Sequence, residues 1–240
     1  MAGPLDGEIG PGPLISAVIP TLDERDGLTA TLDHVATLGG RWEVVVADNG
    51  STDGTPELAA THPAGVRVVV TPAGGRAAAL NAGAEAARGD LLVFLHADSR
   101  LPGDAHSSLV AAAGDPAVVG GNFALRFDGD DRFSRMLSAT YALQRRLGFY
   151  YGDSSVWVRR EAFRRLGGFR PLPIMDDYDF VRRLERLGPT ACLPGPALTS
   201  SRRWRQLGVV RTVLSWVVIR WLFVAGVAPE RLAGLYRRVR

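Results

Sequence analysis

Strand and helix signals alternate through the first hundred residues, and this rhythm limits what the chain can fold into more than any other feature. Leu14 to Pro20, Trp42 to Ala47, Val66 to Val70 and Asp90 to His96 are short apolar runs that read as strands. Between them, Glu24 to Leu38, Thr55 to Thr61 and Gly74 to Ala87 carry helical spacing, the last closed by Gly89. Such alternation predicts βαβ units with right-handed crossovers and a mostly parallel central sheet flanked by helices. Leu91-Leu92-Val93-Phe94-Leu95 is the clearest strand, because five consecutive apolar residues suit a strand buried on both faces.

After Leu101 the rhythm changes. Val118 to Phe127 reads as a strand interrupted by Gly120-Gly121, and Asp131 to Leu147 as a helix. Ser155 to Val158 is a short strand, Arg160 to Leu166 a short helix ended by Gly167-Gly168, and Met175 to Leu187 a further helix. At 240 residues, with no repeat or clean linker, the chain is expected to form one large domain or one domain with an appendage. The expected divisions are a loose Gly/Pro-rich arm at 1–13, a domain at 14–205 in two halves (14–100 and 101–205), and C-terminal helices at 206–240.

The formal charge is only +3, and every basic side chain is arginine, whose planar fork suits phosphate. Cys192 is the single cysteine, so no internal disulfide forms; it is expected to be a small core residue in a reducing compartment. Residues 1–13 lack the basic start and apolar run of a signal peptide. Leu207 to Val227 is about as long as a bilayer span, but Arg211 and Arg220 interrupt it on opposite sides of a helix. The expectation is a cytoplasmic protein whose C-terminal helix packs on the domain, joins a homodimer contact, or lies on the inner membrane face, where its flanking arginines favour anionic lipid. No nucleic-acid partner is expected.

Four predicted strand ends converge on one edge: Pro20-Thr21-Leu22, Asp48-Asn49-Gly50-Ser51, Thr71-Pro72 and His96-Ala97-Asp98. In open α/β sheets ligands bind beyond the carboxyl ends of the strands. A carboxylate at Asp98, with a second possible ligand at His96, suits a divalent cation carrying a phosphorylated ligand, and equally suits a capped strand. Asp48 can accept hydrogen bonds from a base or ribose. Arg76, near a helix N-terminus, can reach phosphate or base oxygens. The dinucleotide and P-loop glycine patterns are absent from the sequence.

Several of these segments together resemble family-2 glycosyltransferases: Ser16 to Thr21 with Glu24, Val45 to Thr55, Gly75 to Gly83, then Gly89-Asp90 and His96-Ala97-Asp98. The resemblance runs nearly the whole chain from Leu14. It implies a GT-A fold and a nucleoside-diphosphate-sugar donor, with 14–100 as the donor half and 101–205 as the acceptor half. By that resemblance Pro20, Thr21, Leu22, Glu24, Asp48, Asn49, Arg76, His96, Ala97 and Asp98 bind the nucleotide sugar. The family's Asp-x-Asp element binds a divalent metal, here Mn²⁺ or Mg²⁺, that bridges the donor diphosphate. His96 stands where the first Asp would be. Imidazole ligates Mn²⁺ and suits Mg²⁺ less well, and contact with ribose or a strand cap is its alternative role. Asp98 is the firmer metal ligand.

Met175-Asp176-Asp177-Tyr178-Asp179 resembles the family's Glu-Asp element at a helix start, whose Asp is the catalytic base in inverting members. Helical spacing places Asp177 with Phe180, Val181, Leu184 and Leu187 at the head of the inward stripe. Asp179 falls with Arg182, Arg183 and Arg186, on an expected solvated face. Asp177 is therefore the expected base, against the alternative that three acids stabilise a helix start. Tyr150 to Arg160 resembles the acceptor-side segment, assigning acceptor contacts to Gly152, Asp153 and Trp157, with Asp176 beside them; a core strand is the alternative for Trp157.

Ser201-Arg202-Arg203-Trp204 resembles the Arg-Trp element of processive members, but Ser200 stands where those have Gln, which implies a non-processive enzyme. Arg202 or Arg203 would neutralise the diphosphate. The expected reaction is inverting transfer to an acceptor hydroxyl. The rivals are a sugar-phosphate nucleotidyltransferase, which should carry a Gly-rich, Arg-containing loop after the first strand, and a non-catalytic membrane-surface adaptor on a decayed transferase fold.

Overall fold

The structure, a computed structural model, describes residues 12–72, 74–146, 150–201 and 209–239. Arg202, Arg203 and most of the expected N-terminal arm lie outside them.

The first hundred residues fold as their rhythm predicts. Strands β1 (Ile15–Thr21), β2 (Trp42–Asp48), β3 (Arg67–Val70) and β4 (Leu91–Phe94) alternate with helices α1 (Arg25–Ala36), α2 (Thr55–Ala60) and α3 (Arg76–Ala86). Next come α4 (Ala105–Ala113), β5 (Gly120–Phe127), α5 (Arg132–Arg146), a 3₁₀ turn at Gly152–Ser154, β6 (Trp157–Arg159), α6 (Arg160–Leu166), α7 (Asp176–Leu187) and β7 (Thr190–Thr199). Two C-terminal helices, α8 (Val209–Val224) and α9 (Pro229–Val239), complete the described chain.

One seven-stranded sheet runs through both halves in the order β3-β2-β1-β4-β6-β5-β7. The first four strands are mutually parallel, β6 is antiparallel to β4 and β5, and β5 and β7 are parallel. Both faces are covered, so the β1 run alternates between two cores. Ile15, Ala17 and Ile19 pack with Leu28 and Leu32 of α1 and Leu109 of α4, while Val18 packs with Leu80 of α3 and Phe180 and Leu184 of α7. A third cluster joins Met175 and Tyr178 to Ile219 of α8 and Leu232 of α9.

Sequence periodicity missed two elements. Helix α4 is a short Ala/Ser-rich segment in the stretch after Leu101. Strand β7 contains Pro194-Gly195-Pro196, which breaks any strand pattern. Two features accommodate it: β7 is an edge strand, and its pairing with β5 shifts register between Phe123 and Leu125. Cys192 also departs from expectation, being exposed on β7. Period-two alternation sends its neighbour Leu193 into the core instead.

Candidate active site

The parallel strands deliver their carboxyl ends to one edge, where β1, β2 and β4 each hand over a polar turn. At β2 that turn is held by Asp48. Its buried carboxylate accepts hydrogen bonds from the Thr21 hydroxyl (2.9 Å) and the Gly50 and Ser51 amides (3.0 and 2.8 Å), as well as from the Ser51 hydroxyl. These four donors use most of its acceptor capacity, so in this structure Asp48 shapes the turn. Asn49 continues it by accepting the Gly74 N–H at 3.1 Å, which fixes the approach to α3. Thr21 is buried, Leu22 is exposed, and Glu24 receives α1 through its carbonyl, which accepts the Gly27 and Leu28 amides.

The catalytic candidates meet at a pocket beyond β1 and β4. Leu80, Phe94, Val156, Phe169 and Phe180 give it apolar walls, and Pro20, Arg76, His96, Gly152 and Asp177 complete its lining. The Phe169 ring stacks on Phe180 with centroids 4.3 Å apart and meets Phe94 edge-on at 4.8 Å. Asn81 locks the turn that carries Phe169: its amide donates to the Phe169 carbonyl and accepts the Phe169 N–H, both at 2.8 Å. A few polar groups converging on an apolar pocket is the usual make-up of a small-ligand site.

Asp176 and Asp177 open α7 directly after Met175, which holds a left-handed backbone (φ 64°). Such a conformation costs a non-glycine residue about 1–2 kcal/mol, and strain of this kind gathers at functional sites. The Asp177 Oδ2 accepts the Gly152 N–H at 2.8 Å and lies 3.3 Å from the Arg76 guanidinium; its Oδ1 accepts the Tyr178 N–H at 2.8 Å. Burial pushes the Asp177 carboxyl up, but Arg76 and the two amides more than offset it, leaving it below the ordinary carboxylate value. Asp177 is therefore an ionised carboxylate at neutral pH.

Asp176 is the more deeply buried of the two and takes Arg76 in a fork, with Nε and Nη2 donating at 3.2 and 2.9 Å. Burial holds the Asp176 carboxyl above its usual value, with the Asp177 charge next door adding to it and Arg76 offsetting only part. Arg76 in turn is held firmly protonated by the two carboxylates, against the opposing effect of burial. Its Nη1 also lies 3.4 Å from His96 Nε2.

Asp153 follows Gly152 in the 3₁₀ turn. Burial, and secondly the Asp177 charge, push its carboxyl up to about 7, while the Tyr141 hydroxyl of α5 donates to it. Its Oδ1 is buried without a hydrogen-bond partner. Trp157, expected at the acceptor, lies on β6 in the sheet core and is fully buried. Ala97 is buried, and its carbonyl accepts the Thr31 hydroxyl. Asp179, expected on a solvated face, is instead enclosed between Arg183 (2.8 Å) and Arg170 (3.1 Å). Arg183 reaches back to the Leu166 and Gly168 carbonyls, so this pair clamps α7 to the turn after α6.

Asp98 is exposed just past β4, with its Oδ1 3.5 Å from the Ser99 hydroxyl. Among the described residues no group of three or more His, Cys, Asp and Glu side chains is set to hold a metal ion. An exposed carboxylate at a strand end fits an ion that takes one or two protein ligands and completes its shell with phosphate oxygens. His96 Nε2 is already turned toward Arg76, so the donor set rests first on Asp98. Sequence reasoning missed Tyr141, Tyr151 and Asn81. Each is an ordinary helix or loop residue whose role depends on what the fold brings beside it.

The sequence is 32% identical over 164 residues to an undecaprenyl-phosphate 4-deoxy-4-formamido-L-arabinose transferase of Aeromonas hydrophila, covering 63% of this chain and 49% of that protein. The chain thus spans about half the length of the curated relatives it matches. Its fold is similar to that of a mannosyltransferase of Pyrobaculum calidifontis solved with GDP-Man and Mn²⁺: TM-score 0.64, 23% identity, covering 95% of this chain and 70% of that one. It is also similar to glucosyl-3-phosphoglycerate synthase of Mycobacterium tuberculosis, solved with Mn²⁺, UDP and glucosyl-3-phosphoglycerate: TM-score 0.59, 24% identity, covering 85% and 80%. The sequence model described as Glycosyl transferase family 2 matches residues 16–171, which take in every strand end of the pocket edge and the Gly152 turn. With that match and this fold, the chain belongs to glycosyl transferase family 2.

Proposed function

We propose that this protein is an inverting, metal-assisted glycosyltransferase that moves a sugar from a nucleoside-diphosphate-sugar donor to an acceptor hydroxyl. The observation that carries the reading is Asp177: an ionised carboxylate aimed by the Gly152 and Tyr178 amides, in a pocket it shares with Arg76, His96 and a wall of apolar side chains. In the proposed step, Asp177 takes the acceptor proton as the hydroxyl oxygen bonds to the anomeric carbon from the face opposite the diphosphate. The bond from that carbon to the diphosphate oxygen breaks, and its electron pair leaves with the nucleoside diphosphate.

A divalent cation, when bound, supplies charge neutralisation at the diphosphate, and Asp98, with His96 as second candidate, would hold it. Thr21, Asn49 and the Asp48 turn shape the edge where the nucleoside is expected. Arg76 sits at the start of α3 within reach of incoming phosphate oxygens. If it turned to them, Asp177 would lose its main cationic neighbour and become a stronger base.

Aspartate at 177 offers a direct test. Asp177→Asn should lower kcat by about 10²- to 10⁴-fold while donor affinity stays within a factor of about two. Donor turnover with acceptor present, and calorimetric donor binding, read the two effects separately. Wild-type turnover in the variant would overturn the assignment.

A further inference from the structure

Helix α8 has two different sides. Inward, Trp216, Ile219, Leu222 and Phe223 pack on Met175, Tyr178 and α9. Outward, Leu214, Val218, Trp221 and Val224 recur at helical spacing and stay between 48% and 61% exposed. Four large apolar side chains in one exposed stripe, one of them a tryptophan, form a docking surface rather than scattered surface residues.

Charge identifies the occupant. Residues 202–240 hold nine arginines against the single acid Glu230, while the whole chain carries only +3. The first 201 residues are therefore net acidic, and the cationic charge is concentrated in the segment that bears the stripe. A second copy docked through this segment would set like charges against like. An anionic lipid surface satisfies both properties, because it takes apolar side chains at the acyl boundary and arginines at the headgroups.

The inner side of the same helix touches the residues that flank the base. Arg220 Nη1 donates to the Tyr151 hydroxyl at 3.3 Å, and Tyr151, next to Gly152, stacks on Tyr178 at 5.7 Å. Phe223 meets Tyr178 edge-on at 6.0 Å. We infer that the outer face of α8 seats this protein on an anionic membrane surface, with the acceptor side of the pocket backed by the docked helix.

Vesicle flotation of the full chain tests this without any reference to catalysis, so its outcome is independent of the proposed transferase step. The wild type should float with vesicles of equal phosphatidylcholine and phosphatidylglycerol, stay unbound with phosphatidylcholine alone, and lose binding as salt rises. Leu214→Ser with Trp221→Ser should weaken partitioning at least about tenfold. Arg231→Glu, at an exposed position on α9, should weaken it at least about fivefold. Matching melting curves and circular dichroism would show that both variants fold. The inference is overturned if the wild type fails to float with anionic vesicles, if it floats equally with neutral ones, if the variants bind as the wild type does, or if sedimentation shows the stripe consumed in a dimer.

Discussion

Arg76 and Asp176, one hundred positions apart in sequence, are joined by a two-pronged ion pair with N–O distances of 2.9 and 3.2 Å. The pair ties the start of α3, in the first half of the chain, to the start of α7, in the second half. It also places the guanidinium 3.3 Å from Asp177. One cation thus serves two adjacent carboxylates; burial still leaves Asp176 above the ordinary value, while Arg76 and two amide hydrogen bonds bring Asp177 below it.

Arg76→Gln should destabilise the fold by about 2 kcal/mol near pH 7, less than the loss of a fully buried pair because the guanidinium is about a third exposed. Without their cation, Asp176 and Asp177 both bind protons more tightly in the folded state. The penalty should therefore shrink as pH falls and the carboxyls protonate. Urea unfolding at pH 7 and pH 4.5 measures both. With Asp177 as the proposed base, its lowered carboxyl should place the acid limb of wild-type kcat/KM below the ordinary carboxylate range, and the variant should lift that limb.

Asp153 makes stability fall as pH rises. Burial pushes its folded carboxyl up to about 7, against an ordinary value of 3.8, so between those values the folded protein binds more protons than the unfolded chain. This contribution to stability is fully present below the lower value and is lost as pH rises through the upper one, with a slope of up to about 1.4 kcal/mol per pH unit. Asp153→Asn should flatten that slope, so that the variant gains on the wild type at pH 8 relative to pH 5. Chemical denaturation across that range reads the difference.

A methyl group at position 152 would lie 3.0 Å from the Asp177 Oδ2 and 3.4 Å from His96 Nε2. The backbone there is not left-handed, so alanine is tolerated by the chain and resisted by the site. Gly152→Ala should retain its melting temperature within a few degrees while kcat falls about 10- to 100-fold, as the carboxylate is pushed aside. A matching loss of stability would show that the turn is structural instead.

Asp98 is exposed and supports no packing, so Asp98→Ala should leave stability unchanged within about 0.5 kcal/mol. Calorimetric donor binding should weaken about tenfold or more in Mn²⁺ and change little in a chelator. Equal weakening under both conditions would remove the metal role from this residue.

The first hundred residues were legible because their signals are local. Apolar runs bounded by Asp48-Asn49-Gly50 and His96-Ala97-Asp98 mark strands and their ends without knowledge of neighbours. Asp177 was legible in part: its spacing to Phe180, Val181 and Leu184 turns it toward the pocket, but Asp176, expected beside that stripe, is the acid the helix buries more deeply. Strand β7 was not, because Pro194-Gly195-Pro196 is compatible with a strand only at a bulged edge, and edge position is a property of the whole sheet. Asp179 was misplaced because Arg170, its second partner, comes from the loop before α7. Cys192 was misplaced because a small apolar residue fits either face, and only the register of β7 against β5 chooses one.

Sequence by itself determined the alternating α/β plan, the polar turns at the strand ends and the identity of the acids that open α7. Those features rest on periodicity and turn chemistry, which act over a few residues. Tertiary structure alone decided that Arg76 meets Asp176 and Asp177, that Gly152 orients the Asp177 carboxylate, that Tyr141 reaches Asp153, and that α8 turns one side to the site and the other outward. Each of these depends on segments tens of residues apart being brought together by burial, which carries no directional label that a local pattern could encode.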